Sequence, residues 1–343
     1  MYKKPSFLVL AIFICLLLNS CQKDPKDTIS KYYNNGKFNG AVLIAKNGTI
    51  VCDTVLGYAN FNSGLKLKKN SAFYIASLSK SFTAVGMMQL EQKGLLKYDD
   101  HASKYVTTLP KYAQSITLRE LLNHTSGIKD YEEILSNKKG LTNQDVIKWL
   151  NEQTHLEFTP GSQFEYSNSG YIILSLVIES ITKESYGNFL HENIFGPLKM
   201  QNTIVYDQSK PKIENKAIGF DQNKKLDDYS IQTTGDGGIY STVEDLYKFD
   251  KALRNNSIIN KANTNLMYIP GLTSEENQNQ YGFGWFINTT DGQKIASHTG
   301  GLNGFRAVFW RDLKNNTVII ALTNQGDAFP VNDFLNDLIP SLK

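Results

Sequence analysis

Three short stretches of the chain carry side chains whose types and spacing can do chemistry. The first is Ser77-Leu78-Ser79-Lys80. Residues three apart on a helix share a face, so Ser77 and Lys80 meet at a helix start. A serine hydroxyl is a poor nucleophile until a neighbour takes its proton, and a lysine does this when burial or nearby cations depress its pKa. The free N–H groups of a helix N-terminus also favour developing negative charge. The second stretch is Tyr166-Ser167-Asn168. Positive charge lowers the pKa of a phenol, so a tyrosine beside a lysine can accept a proton. The Asn168 amide can hold a substrate carbonyl and the lysine together. The third is His298-Thr299-Gly300-Gly301, after an apolar strand-like run. Its glycines let a substrate backbone lie against an edge strand, and His298 and Thr299 add polar groups to that line. Taken singly, these stretches read equally well as a solvated helix face, a helix cap and a β-turn.

The elements around them suggest how they are positioned. Residues 40–59 read as a hairpin, with Asn47-Gly48 as a tight-turn signal. A short helical stretch, 29–35, precedes it. Residues 77–94 are apolar at helical spacing and stop at a glycine, and 170–183 form another apolar helix. Thr117-x-x-Glu120, Thr142-x-x-Asp145 and Thr242-x-x-Asp245 look like capped helix starts. Near the end the period changes: 281–287, 294–298, 305–311 and 317–323 are short, aromatic or β-branched runs. Asn315-Asn316 turns the last pair, and 330–342 closes as a helix with Pro330 at its start. Consecutive strands tend to be neighbours. The expected fold is α+β: one antiparallel sheet built from both ends of the chain, flanked by terminal helices, with a mainly helical domain inserted at about 70–240. A cleft between two such parts is a natural ligand site.

The 343 residues include 36 Lys+Arg and 33 Asp+Glu, a formal charge of +3. Lys3 and Lys4 lie in the leader, and without them the charge is about +1. That balance lacks the concentrated basic face nucleic-acid binding needs. In residues 1–20, two lysines precede an apolar run too short for an ordinary membrane span, the pattern of a secretory signal. Its ending, Leu18-Asn19-Ser20-Cys21, resembles a bacterial lipobox, which implies cleavage before Cys21 and lipid on the Cys21 thiol. Residues 21–28 then read as a tether and 29–343 as the catalytic domain. Cys15 leaves with the signal and Cys21 is taken by lipid, so Cys52 stands alone as a packing residue. His101, His155 and His191 show no metal spacing, so neither metal nor cofactor is expected.

In this order, the three motifs resemble the S-x-x-K, Y-x-N and [KH]-[TS]-G set of the serine β-lactamase and penicillin-binding superfamily. The likeness is to its class C-type branch, which includes class C β-lactamases, D-alanyl-D-alanine carboxypeptidases, D-aminopeptidases and β-lactamase-like carboxylesterases. Flanking residues 121–127, 237–246 and 281–285 agree, and the resemblance runs from about residue 40 to about residue 322. It implies the β-lactamase/transpeptidase-like fold and a two-step acyl transfer. Ser77 would attack a carbonyl, with Lys80 and Tyr166 moving protons and either of them fitting as the base. The backbone N–H groups of Ser77 and Gly301 would form the oxyanion hole. Asn168 would orient substrate, and His298, Thr299 and Gly300 would line the cleft. Glu165 and His124 receive no catalytic role.

His298 stands where class C β-lactamases carry lysine. An unperturbed histidine is mostly neutral at pH 7, so a substrate carboxylate would be held less firmly. Arg306 could restore a cation, or could be a solvated strand residue. The expectation is therefore a lipid-anchored, monomeric serine hydrolase of the cell envelope. Its substrates would be peptides ending in D-amino acids, or small esters and amides. β-Lactam hydrolysis is the second reading and a non-turnover penicillin-binding sensor the third.

Overall fold

The computed structural model describes residues 24–132, 138–206, 213–228, 232–272, 280–290 and 292–342. The leader, Cys21 and the first residues of the tether lie outside them. The architecture is the expected α+β arrangement. Among the described residues, twelve strands form three sheets: β1 (Gly40–Lys46), β2 (Thr49–Leu56), β3 (Tyr58–Asn60), β4 (Leu65–Lys66), β5 (Phe73–Tyr74), β6 (Ile204–Val205), β7 (Ile239–Ser241), β8 (Gln280–Tyr281), β9 (Phe286–Thr290), β10 (Gln293–Leu302), β11 (Phe305–Asp312) and β12 (Thr317–Thr323). The main sheet runs β2-β1-β12-β11-β10-β9-β8. The first strand of the chain thus pairs with the last, Gly40 opposite Thr323 and Lys46 opposite Thr317. The β1–β2 turn places Asn47 at φ +52° and Gly48 at φ +79°. Two successive positive φ values match the twist of a hairpin, which explains this dipeptide.

Period-2 alternation in β1 and β12 is replaced by near-continuous burial because the sheet is covered on both faces. Val42, Ile44, Ile319 and Ala321 face helices α1 (Pro25–Asn34) and α9 (Val331–Leu338). Ala41, Leu43, Ile320 and Leu322 face a larger core that includes α2 (Ser79–Gln92) and α3 (Leu118–Leu122). The same core takes in α4 (Asn143–Asn151), α5 (Asn168–Thr182), α6 (Tyr186–Leu190), α7 (Val243–Arg254) and α8 (Lys261–Met267). Thr117 and Thr142 each close a full capping box, and Thr242 accepts from the Asp245 amide.

Two local outcomes differ from the sequence reading. α1 begins at Pro25, inside the stretch read as tether, because Asp24 caps it and proline suits the first turn. The run 281–287 is two strands rather than one. Gly284 (φ +79°) breaks it where the chain crosses α2, and a Cβ there would lie 2.8 Å from the Ser81 Cα. Cys52 is buried and free, as a packing residue should be.

Candidate active site

Ser77 lies on the single 3₁₀ turn Ala76–Leu78, between β5 and α2. The expected helix therefore starts two residues later, at Ser79. Ala76 is held at φ +47°, a strained value for a residue with a Cβ. This bend leaves Ser77 half-buried above Lys80, which is completely buried as the second residue of α2. The Lys80 Nζ donates to Ser77 Oγ at 3.1 Å, to Asn168 Oδ1 at 2.6 Å and to the Asp236 carbonyl at 2.9 Å. All three ammonium donors are thereby used. Burial lowers its pKa to about 8, against the opposing pull of Asp236, Asp130 and Glu132.

Asn168 is the first residue of α5, whose N-cap is Ser167. Tyr166 precedes them, and its ring lies 4.8 Å from the Lys80 Nζ. The Tyr166 hydroxyl is buried and makes no hydrogen bond of regular geometry among the described residues. Burial pushes its pKa well above the ordinary value, and the contact with Ser77 offsets this only in part. Neutral His124 helps hold the segment. It packs 4.3 Å from the Tyr166 ring, and its Nδ1 accepts from the Ser167 amide at 3.1 Å.

The third motif forms the cleft-side end of β10. β9 pairs with β10 only from Gln293 to Ser297, whereas β11 continues along it to Leu302. Residues 298–302 are thus left without a β9 partner. Gly300 packs on the Ser77 turn so closely that a Cβ would lie 2.2 Å from the Ile75 carbonyl and 3.1 Å from the Ser77 nitrogen. This approach brings Gly301 and Ser77 to one small cavity, also lined by Tyr74, Glu132, Asn168 and Asp236.

His298 and Thr299 lie on opposite faces of the sheet. His298 is 2% exposed, and its Nδ1 lies 2.6 Å from the Thr299 carbonyl. A carbonyl can only accept, so Nδ1 carries the proton and Nε2 accepts from the Tyr281 hydroxyl at 2.9 Å. Burial lowers the His298 pKa to about 3, so the ring is neutral at physiological pH. Thr299 is exposed and lines a groove with Arg306, Phe329 and Asp333 on the α9 side. Arg306 pairs with Asp327 at 2.9 Å and donates to the Phe305 carbonyl at 2.7 Å.

Three carboxylates that the sequence reading did not single out complete the surroundings. Asn168 Nδ2 donates to Asp130 at 3.0 Å and to Glu132 at 2.6 Å. Asp236 accepts from the Tyr131 hydroxyl at 2.6 Å. Burial raises all three pKa values, that of Asp236 to about 6. Asp236 stands directly before the Gly237-Gly238 pair, and Asp130 follows the 121–127 loop. Their proximity to flanking motifs was the available signal, but only the fold brings them to Lys80.

Comparison with known proteins bears on the family and the fold. The Beta-lactamase family profile matches residues 26–341. Penicillin-binding protein 4* of Bacillus subtilis (strain 168) is 35% identical over 311 residues, covering 84% of this chain and 68% of that protein. The chain spans about two thirds of the length of the curated relatives it matches. An octameric penicillin-binding protein homologue from Pyrococcus abyssi superposes with a TM-score of 0.82 at 24% identity, over 93% of this chain and 76% of that one. A D-amino acid amidase from Ochrobactrum anthropi SV3 gives 0.78 at 23% identity, over 93% and 99%. At such identities these two likenesses bear on the fold. The family match and the Bacillus relative carry more: this chain belongs to the Beta-lactamase family, and so to the serine hydrolases of the β-lactamase and penicillin-binding superfamily.

Proposed function

We propose that the protein hydrolyses a peptide, amide or ester carbonyl through an acyl-enzyme on Ser77. The observation that carries this is the direct Lys80–Ser77 hydrogen bond, made by a buried lysine whose pKa is lowered to about 8. Neutral Lys80 takes the Ser77 proton as Oγ bonds to the carbonyl carbon. The resulting oxyanion is received by the backbone N–H groups of Ser77 and Gly301. The bond to the leaving group then breaks as that group gains a proton through Tyr166. Water attacks the ester so formed, loses its proton through the same groups and releases the acid and Ser77. Asn168 fixes Lys80 and orients substrate. The high phenol pKa of Tyr166 favours Lys80 as the acylation base and Tyr166 as proton donor.

The neighbours named as penicillin-binding proteins and as a D-amino acid amidase support cell-wall-type or D-amino-acid substrates. A class C-type β-lactamase activity ranks second, because neutral His298 offers no cation to an antibiotic carboxylate. The test is to incubate the full-length protein with a reactive ester, a D-Ala-D-Ala peptide and a chromogenic cephalosporin while following intact mass. Turnover of ester or peptide with a transient adduct is expected. Ser77→Ala should lower turnover by roughly a thousandfold or more, and hydrolysis retained in that variant would refute the assignment. Fast cephalosporin turnover would make the β-lactamase reading first, and a stable adduct without turnover would indicate a sensor.

The leader supports export and lipid attachment at Cys21, with the domain acting as a monomer at the envelope. Metabolic labelling with a radioactive fatty acid should mark the wild type and not Cys21→Ser, while light scattering should give one chain per particle.

A further inference from the structure

The main sheet has two ends. At the catalytic end Gly301 lies opposite Arg306, and the row continues through Thr323 and Gly40 to Leu56. At the other end the matching row is Ile295, Asp312, Thr317, Lys46 and Thr49. Gly301 and Ile295 are separated along β10 by roughly 20 Å, at the rise of an antiparallel strand. This far end is basic. A cavity of about 620 Å³ between α7, α8 and β11 is lined by Arg254, Lys261, Lys294 and Arg311, and by no acid among the described residues. Arg311 is buried. Its Nε donates to Asp250 and its Nη1 to the Tyr268 hydroxyl, while its Nη2 makes no hydrogen bond among the described residues. On the opposite face of the sheet, a second hollow carries Lys46 and Lys314. The acid that lines it, Asp312, is 4% exposed and already accepts from the backbone N–H groups of Lys314 and Asn315.

The start of the domain lies at this same end. Burial dominates the surroundings of the Cys52 thiol, and the charges of Lys26 and Asp24 also reach it, so α1 starts beside Cys52. The helix then runs toward the catalytic end, where a Cβ on Gly57 would lie 3.3 Å from the Tyr33 ring. Asp24 follows Cys21 by three residues, a span of at most about 11 Å when fully extended. A lipid on Cys21 therefore holds the basic end of the sheet close to the bilayer. Ile50 and Val51 stand beside the Asn47-Gly48 turn on the outer strand β2, and each is 46% exposed. Anionic headgroups attract lysines held within a Debye length of them, and exposed apolar side chains beside such lysines suit the boundary between headgroup and acyl chain.

We infer that the end of the sheet bearing Lys46, Lys261 and Lys314 rests on an anionic lipid bilayer, with the Arg311 cavity receiving a headgroup phosphate and Ile50 and Val51 meeting the interface. This rests on the reading of lipid attachment at Cys21 and adds a fixed orientation to it. The Ser77 cleft then stands roughly 20 Å above the headgroups. It serves substrates in the aqueous layer, and acyl groups buried in the bilayer are out of its reach.

The test uses the full-length, lipid-bearing protein in vesicles of phosphatidylethanolamine and phosphatidylglycerol that contain a nitroxide-headgroup lipid. A fluorophore is attached through Thr49→Cys, at the basic end, or through Asn332→Cys, an exposed position beside the Thr299 groove at the catalytic end. Quenching at position 49 should be at least threefold stronger than at position 332. Vesicles of phosphatidylcholine alone, or 0.5 M salt, should reduce the quenching at position 49 at least twofold. Adding Lys261→Glu with Lys314→Glu to Thr49→Cys should do the same, while ester turnover in detergent stays at the level of the parent and shows that the fold is intact. Equal quenching at the two positions, or stronger quenching at 332, would overturn the inference while leaving the anchor in place. So would quenching at position 49 that ignores both the lipid charge and the two substitutions. Protein that fails to float with vesicles and carries no fatty acid would overturn the Cys21 reading and this one with it.

Discussion

Burial of Lys80 keeps a readily deprotonated amine beside Ser77. Its pKa is lowered to about 8 by desolvation, so about a tenth is neutral at pH 7. If neutral Lys80 is the base, kcat/KM for a substrate without ionisable groups should rise roughly tenfold from pH 7 upward and level off above pH 8 to 9. A profile that falls through pH 8 would mean that the charged form is needed. Ser77, Lys80, Tyr166 and Asn168 were legible in the sequence because they sit in short motifs of fixed spacing, and the fold brings them together. Their charge environment was not. His298 was read as a polar group of the cleft, and only burial between Tyr281 and the Thr299 carbonyl reveals it as neutral packing. Asp130 and Glu132 come from one stretch and Asp236 from another about a hundred residues on, and no local pattern brings the two together. Arg306 was left with two readings, and its ion pair with Asp327 leaves it tied on the far side of the sheet.

At the scale of elements, the site depends on how closely β10 approaches the turn that carries Ser77. Gly300 is the contact point, and a methyl there would lie 2.2 Å from the Ile75 carbonyl oxygen. That oxygen, like the Ser77 nitrogen 3.1 Å away, belongs to backbone, so β10 or the 3₁₀ turn must shift. A displacement of about 1 Å in a reacting geometry can cost on the order of a hundredfold in rate. Gly300→Ala should therefore lower kcat by about that factor, with the buried Lys80 pKa and hence the shape of the pH profile little changed. Full kcat in a folded Gly300→Ala protein would show that β10 does not set the oxyanion geometry. The strands themselves were legible from β-branched and aromatic runs, and the hairpin from Asn47-Gly48. The break at Gly284 was not, because its cause is the α2 backbone, far away in sequence. The Ser77 turn was similarly merged with α2, since a 3₁₀ turn followed by an α-helix keeps nearly the same apolar spacing.

For the whole molecule, the charge concentrated near Lys80 works against folding. Asp236 has a folded pKa of about 6, above its ordinary value of 3.8, and burial is the main cause. A carboxyl with a raised pKa binds its proton more tightly in the folded state. It therefore favours folding most below pH 4, and that contribution is lost as pH rises from about 4 through 6. At pH 7.5 the ionised group costs the fold on the order of 2 to 3 kcal/mol, from a shift of about two units. Asp236→Asn removes the charge while its amide oxygen can still accept from the Tyr131 hydroxyl. The variant should gain stability at pH 7.5, by a few degrees in Tm for a domain of this size. At pH 4, where the wild-type carboxyl is already protonated in the fold, the two proteins should melt nearly together. A pH-independent difference would assign the effect to packing rather than charge. A loss of stability at pH 7.5 would mean that the ionised carboxylate is compensated by Lys80 after all.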